Sequence, residues 1–280
     1  MHRITKAHLK SFVKSYGLEQ HGECTQFEMF VNNAVITSKV GGDFDLDNVT
    51  TSEGDDGTDG VAVLIDEELI VSDEDAVSTF KKDRKTHDVE VIFTQAKRGE
   101  SFDLGDFLKF KESVLRFVNS EHYDINDDVQ RNARKVFDVV IKNVPKVRDG
   151  KPVLMARFVT TGVYKKPEAL ENAKEDFVRQ LEELGYFSNI DIMFIGRDEL
   201  TALWVKTYTG VAAEIPMFSN APLPTIDGID EAYLVIVKAK DFVNNLLVSD
   251  DGTLRLHVFE ENVTEPQEPQ GHRLEPQGHR

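Results

Sequence analysis

Apolar residues recur along this chain in long stripes at helical spacing and in short runs of β-branched residues. Leu9, Phe12, Val13 and Tyr16 make the first helical stripe. A second helix is expected over Glu23 to Val35, where Cys24, Glu28, Val31 and Val35 fall on one side and so put a carboxylate on the buried face. An acid so placed needs a base, a proton or a cation. An acid at the edge of the stripe, reaching water, is the other reading.

Val61 to Ile65 reads as a buried strand entered through Asp59-Gly60. Asp66 to Glu68 then forms a turn into a hairpin partner beginning at Leu69, and Asp73 to Lys85 is a charged spacer, partly helical. Val89 to Phe93 is the next strand run. Helices are expected from Leu104 to Asn119 and from Asn126 to Asn143, a strand over Pro152 to Tyr164, a helix over Glu168 to Leu184 and a strand over Ile190 to Ile195. The last three elements imply a parallel pair with a crossover helix. The sum is an α/β fold in the order α-βββ-α-β, a mixed sheet flanked by helices on both faces.

From Asp198 to Val263 the pattern changes. A short helix around Leu203, a strand over Val211 to Phe218, a proline-punctuated loop at Ala221 to Pro224 and a strand, helix and strand ending near Phe259 make a small α+β subdomain. EPQGHR then occurs twice, at Glu268 and at Glu275, and such a tail cannot bury a core. The expected organisation is a main domain over 1–197, a second region over 198–263 and a disordered tail over 264–280.

Three side chains at the strand ends carry candidate chemistry. Gln95 and Lys97 lie two apart, so on a strand they share a face, with Ala96 directed the other way. An Asp on one strand end beside Gln-x-Lys on the next offers hard oxygen ligands for a divalent cation and an ammonium to steady phosphate charge or a nucleophile. Asp-Gly is equally a turn signal, and a lysine at a strand end is equally a solvated one.

Composition bears on this choice. The 280 residues carry a net charge of -17, a poor balance for holding nucleic acid through general electrostatics. Thirteen of the acids lie between Val40 and Phe80, where there is no Lys or Arg, so the excess surrounds Asp59 and suits a cation. Asp43, Asp45 and Asp47 alternate like a calcium loop, but no Glu follows at its twelfth position. Basic clusters around Lys81 to Lys85 and Arg131 to Arg148, with Lys109 and Lys111, are solvated faces or phosphate contacts. One cysteine excludes an internal disulfide framework, no run is long enough to span a membrane, and the basic first 17 residues lack the apolar core of a targeting peptide; a cytoplasmic location is the default expectation.

GDDGTDGVAV followed by FTQAK resembles the Asp and Gln-x-Lys motifs of restriction-endonuclease-like proteins of the PD-(D/E)XK superfamily, in the Mrr-type variant. DGVAVLIDEELIVSDEDA, VEVIFTQAKRGESFDLGDFLKF and LRLHVFEENV resemble the N-terminal part of the abortive infection phage resistance (AIPR) family. The resemblance implies a nuclease dependent on Mg²⁺ or Mn²⁺, acting on DNA more than RNA in phage defence, and often as a homodimer. It implies Asp59, the Gln95 side-chain oxygen, the Ala96 carbonyl and Glu28 as metal ligands, and Lys97 as the residue that positions or activates water. Gln95 stands where many members carry an acid, which lowers the charge of the site. In that family the chain continues well past FEENV, so this chain reads as truncated or frame-altered. A non-catalytic module that keeps the fold and senses nucleic acid or a partner protein is the alternative.

Overall fold

The computed structural model describes residues 1–40, 43–52, 57–119, 125–208, 213–224 and 232–248. Two compact units divide the chain, Met1–Gly210 and Val211–Arg280. The boundary therefore falls after the helix around Leu203, and not before it at residue 198.

Unit one is a five-stranded mixed sheet between two helical layers. In chain order it comprises α1 (Arg3–Tyr16), α2 (Glu23–Ile36), β1 (Gly60–Ile65), β2 (Glu68–Leu69), α3 (Asp73–Lys81), β3 (Val89–Lys97), α4 (Leu104–Asn119), α5 (Asp128–Lys142), β4 (Val153–Thr160), α6 (Glu168–Leu184), β5 (Asn189–Ile195) and α7 (Arg197–Tyr208). The strands lie in the order β2-β1-β3-β4-β5. β1 runs antiparallel to β2 and β3, whereas β3, β4 and β5 are parallel. The parallel β4 and β5 with their crossover helix match the pattern expected from sequence.

Strand alternation sorts the core into two halves. Val61, Val63, Val91, Phe93, Leu154, Phe158 and Phe194 pack with α3 to α6, while Ala62, Leu64, Ile92, Ala96, Met155 and Val159 pack with α1, α2 and α7. α2 is buried almost all round in its second half, from Phe27 to Ile36 apart from Glu28. Its expected stripe holds at Val31 and Val35, but Cys24 is exposed and Glu28 half-buried. Trp204 of α7 meets Phe12 and Phe30 edge-on or tilted, which is why α7 belongs to this unit.

The β1–β2 hairpin turns through Asp66 and Glu67, both left-handed at φ 53° and 69°. Neither is glycine, so the turn requires support. Asp66 accepts from the Asp88 N–H at 2.9 Å and pairs with the fully buried His87 ring at 2.6 Å. His87 is thus a structural clasp, at the opposite end of the β1–β3 pair from Asp59.

Several basic residues that sequence left open between solvent and phosphate prove structural. Arg134 donates to the Phe117 and Val118 carbonyls at the end of α4, and Lys111 pairs with Asp176 of α6. Unit two contains β6 (Met217–Pro222) and β7 (Tyr233–Val237), an antiparallel pair, and a short helix α8 (Ala239–Phe242). The expected strand at Val211 to Phe218 is displaced toward the prolines, with Pro222 ending β6. The strand near Phe259 and the tail over 264–280 lie outside the described residues.

The segment leading to β1 is tied down on both sides. Ser52 donates through its N–H and hydroxyl to Asp127 Oδ2 at 2.7 and 2.6 Å, and Asp127 Oδ1 caps α5 by accepting from the Gln130 N–H at 2.8 Å. Asp127→Ala removes a helix cap and a tether together and is expected to cost about 2 kcal/mol. Urea unfolding measures it, with Asp128→Ala, 85% exposed, as a control that changes stability by less than about 0.5 kcal/mol.

Candidate functional site

The parallel strands β3, β4 and β5 end on the side of the sheet where the antiparallel β1 begins. This is the kind of strand-end position at which α/β proteins place ligands. Gly60 pairs with Thr94, so Asp59 stands beside Gln95.

A close backbone approach fixes this register. Asn32 of α2 is fully buried; its amide donates to the Asp59 carbonyl at 3.1 Å and to Thr50 Oγ1 at 3.0 Å, and its Oδ1 accepts from Thr94 Oγ1. A Cβ on Gly60 would lie 2.3 Å from Asn32 Oδ1 and 2.4 Å from Thr94 Oγ1. Only glycine fits there without displacing both side chains. The Asp59 N–H donates to the Thr94 carbonyl at 2.9 Å, so the residue is held at both ends of its backbone.

The Asp59 carboxylate turns to the other face. Its Oδ2 accepts from Gln95 Nε2 at 2.8 Å and from the Ala96 N–H at 2.7 Å. Gln95 is 2% exposed, and its Oε1 is buried with no hydrogen-bond partner. Burial pushes the Asp59 carboxyl above the ordinary Asp value; the bonds from Ala96 and Gln95 and the charge of Lys97 oppose that without cancelling it, and Asp106 adds to it. Lys97 Nζ lies 3.9 Å from Asp106 Oδ1 in the first turn of α4, both side chains 37% exposed.

Asp59, Gln95, Ala96 and Lys97 are therefore brought together. Glu28 lies half-buried on α2, one turn before Asn32, whose amide donates to the Asp59 carbonyl. No three His, Cys, Asp or Glu converge as a ligand set among the described residues.

Two contributors escape the sequence reading. Asp106 follows Asp103 by three residues, a spacing that reads as helix capping, and Asp103 Oδ1 does accept the Asp106 N–H at 2.9 Å. Asn32 belongs to an Asn-Asn pair inside the otherwise apolar stretch Met29 to Ile36 of α2, and that polar interruption is the signal that marks it. No family model matches this chain, and no curated protein or solved structure proves similar to it.

The raised Asp59 carboxyl predicts a stability signature. Its folded value lies above the unfolded one, about 3.9, so the metal-free protein loses stability as pH rises from the unfolded toward the folded value. Asp59→Asn should raise the melting temperature of metal-free protein at pH 7.5. The gain should vanish below about pH 4, where the wild-type carboxyl is protonated in both states. Thermal melts in EDTA across that range measure it.

Proposed function

We propose that unit one is a nuclease domain that holds Mg²⁺ or Mn²⁺ at Asp59 and cleaves phosphodiester bonds, in DNA more readily than RNA, in the manner of the AIPR proteins whose motifs it resembles. The observation that carries this reading is the buried, unpartnered Gln95 Oε1 beside a desolvated carboxylate. A buried amide oxygen without a partner costs about 1–3 kcal/mol, and a cation ligand relieves that cost.

The donor set fits a hard cation. Asp59 would supply the charge, Gln95 Oε1 a neutral oxygen, and Ala96 its carbonyl, which in extended backbone points to the same side as the N–H that meets Asp59. Mg²⁺ commonly takes one or two carboxylates and completes its shell with water and substrate phosphate, so three clustered acids are not required. When bound, such an ion polarises a phosphoryl oxygen and lowers the pKa of water. Glu28, one turn before Asn32 on α2, would complete the set, as the resemblance implies.

The chain's own residues supply the rest. Asp59 is pre-positioned by Asn32 and the Gly60 crossing, so it loses little freedom on binding. Lys97 projects to the same face as Gln95 and holds an ammonium where negative charge on a phosphate grows. With Arg134 and Lys111 engaged inside the protein, the exposed Lys109 of α4 would be the one of the three to reach a phosphate. Assembly as a homodimer and a role in phage defence follow from the resemblance.

Plasmid DNA and single-stranded RNA incubated with purified protein, in Mg²⁺ and in EDTA, test the proposal. Cleavage should require the metal and fall at least about a hundredfold in Asp59→Ala and in Lys97→Ala. A folded wild type that binds nucleic acid equally with and without metal and cuts neither substrate would favour the non-catalytic module instead, the reading to which a Gln at position 95 also lends support.

A further inference from the structure

We propose that Asp106 is the second carboxylate of the cation site, facing the Asp59–Gln95 pair from the first turn of α4 with Lys97 between. This rests on the reading of Asp59 as a cation ligand, and it assigns to the site a residue outside the Gln-x-Lys strand.

The placement of α4 comes first. Gly57, at φ +76°, presses so closely on the helix that a Cβ there would lie 2.8 Å from the Lys109 carbonyl oxygen. Thr58 Oγ1 donates to Ser113 Oγ at 2.8 Å in a buried contact. The two residues before Asp59 are thus seated on α4 itself. Asp106 lies one turn before Lys109, so its distance from Asp59 is set by packing and not by a free loop.

An acid in the first turn of a helix ordinarily serves the helix dipole or a cap. Here the cap is already supplied, because Asp103 Oδ1 takes the Asp106 N–H at 2.9 Å. The Asp106 carboxylate instead faces Lys97 at 3.9 Å, too long for a hydrogen bond. Two carboxylates and one ammonium leave the cluster with a net negative charge.

Gln95 Oε1 is the independent sign of a ligand, being buried, unpartnered and one amide width from the atom that binds Asp59. A divalent cation gives the stranded oxygen a partner and balances the negative charge of the cluster. Asp106 would bind it directly or through one water, within the one or two carboxylates that Mg²⁺ prefers.

Mn²⁺ titration of the metal-free full chain, followed by electron paramagnetic resonance, separates this inference from the reading beneath it. Wild type should bind Mn²⁺, Asp59→Asn should lose binding, and Asp106→Asn should weaken it about tenfold or more, the loss typical of a group supporting a metal site. Asp106→Glu should recover most of the affinity. The helix start is capped by Asp103 in each variant, and a thermal melt of each checks its fold. Wild-type affinity in Asp106→Asn, or equal weakening in Asp106→Asn and Asp106→Glu, would overturn the role of Asp106 and leave Asp59 standing. A folded wild type that binds no Mn²⁺ would overturn both.

Discussion

The crossing of Gly60 with Asn32 and Thr94 is the contact on which the site depends. There is no room for a side chain, so the backbone entering β1 approaches α2 and β3 more closely than any other residue would allow. Asn32 then bonds the Asp59 carbonyl from one side of the sheet while the carboxylate is directed to the other. A slip of one residue would reverse the faces, moving Asp59 toward the α2 layer and Gly60 toward α4. The burial of β1 on both faces specifies that register strongly.

The metal-free site is energetically costly at this point. The carboxylate is desolvated, one buried amide oxygen has no partner, and a lysine stands near but not in contact with a second acid. The first two features lower the stability of the metal-free chain, whereas the half-exposed Lys97–Asp106 pair contributes little. Unpaired polar groups of this kind are rare in folded interiors and ask for a cause. The proposed divalent cation would supply one cause for both.

Much of this was legible in the sequence because its period is unambiguous. The β-branched runs at Val61 and Val89 and the amphipathic repeat of Glu168 to Leu184 each admit one reading, and the structure follows them. The α2 stripe was harder to read, since a helix buried almost all round has no single apolar side and Cys24 lies at its exposed start. The unit boundary after α7 depended on Trp204 reaching two phenylalanines far away in sequence, which no local pattern reports. Asp59, Gln95 and Lys97 were visible as a motif, whereas Asp106 resembled a capping residue until α4 was seen against Gly57 and Thr58. The basic residues Arg134 and Lys111 looked available to phosphate only because their partners, a helix end and Asp176, are tertiary.

The most direct measurement is an anomalous difference map from crystals grown with Mn²⁺. One strong peak is expected, bounded by the Asp59 carboxylate, Gln95 Oε1 and the Ala96 carbonyl. A map without a peak there would contradict the central claim that this strand junction is a cation site.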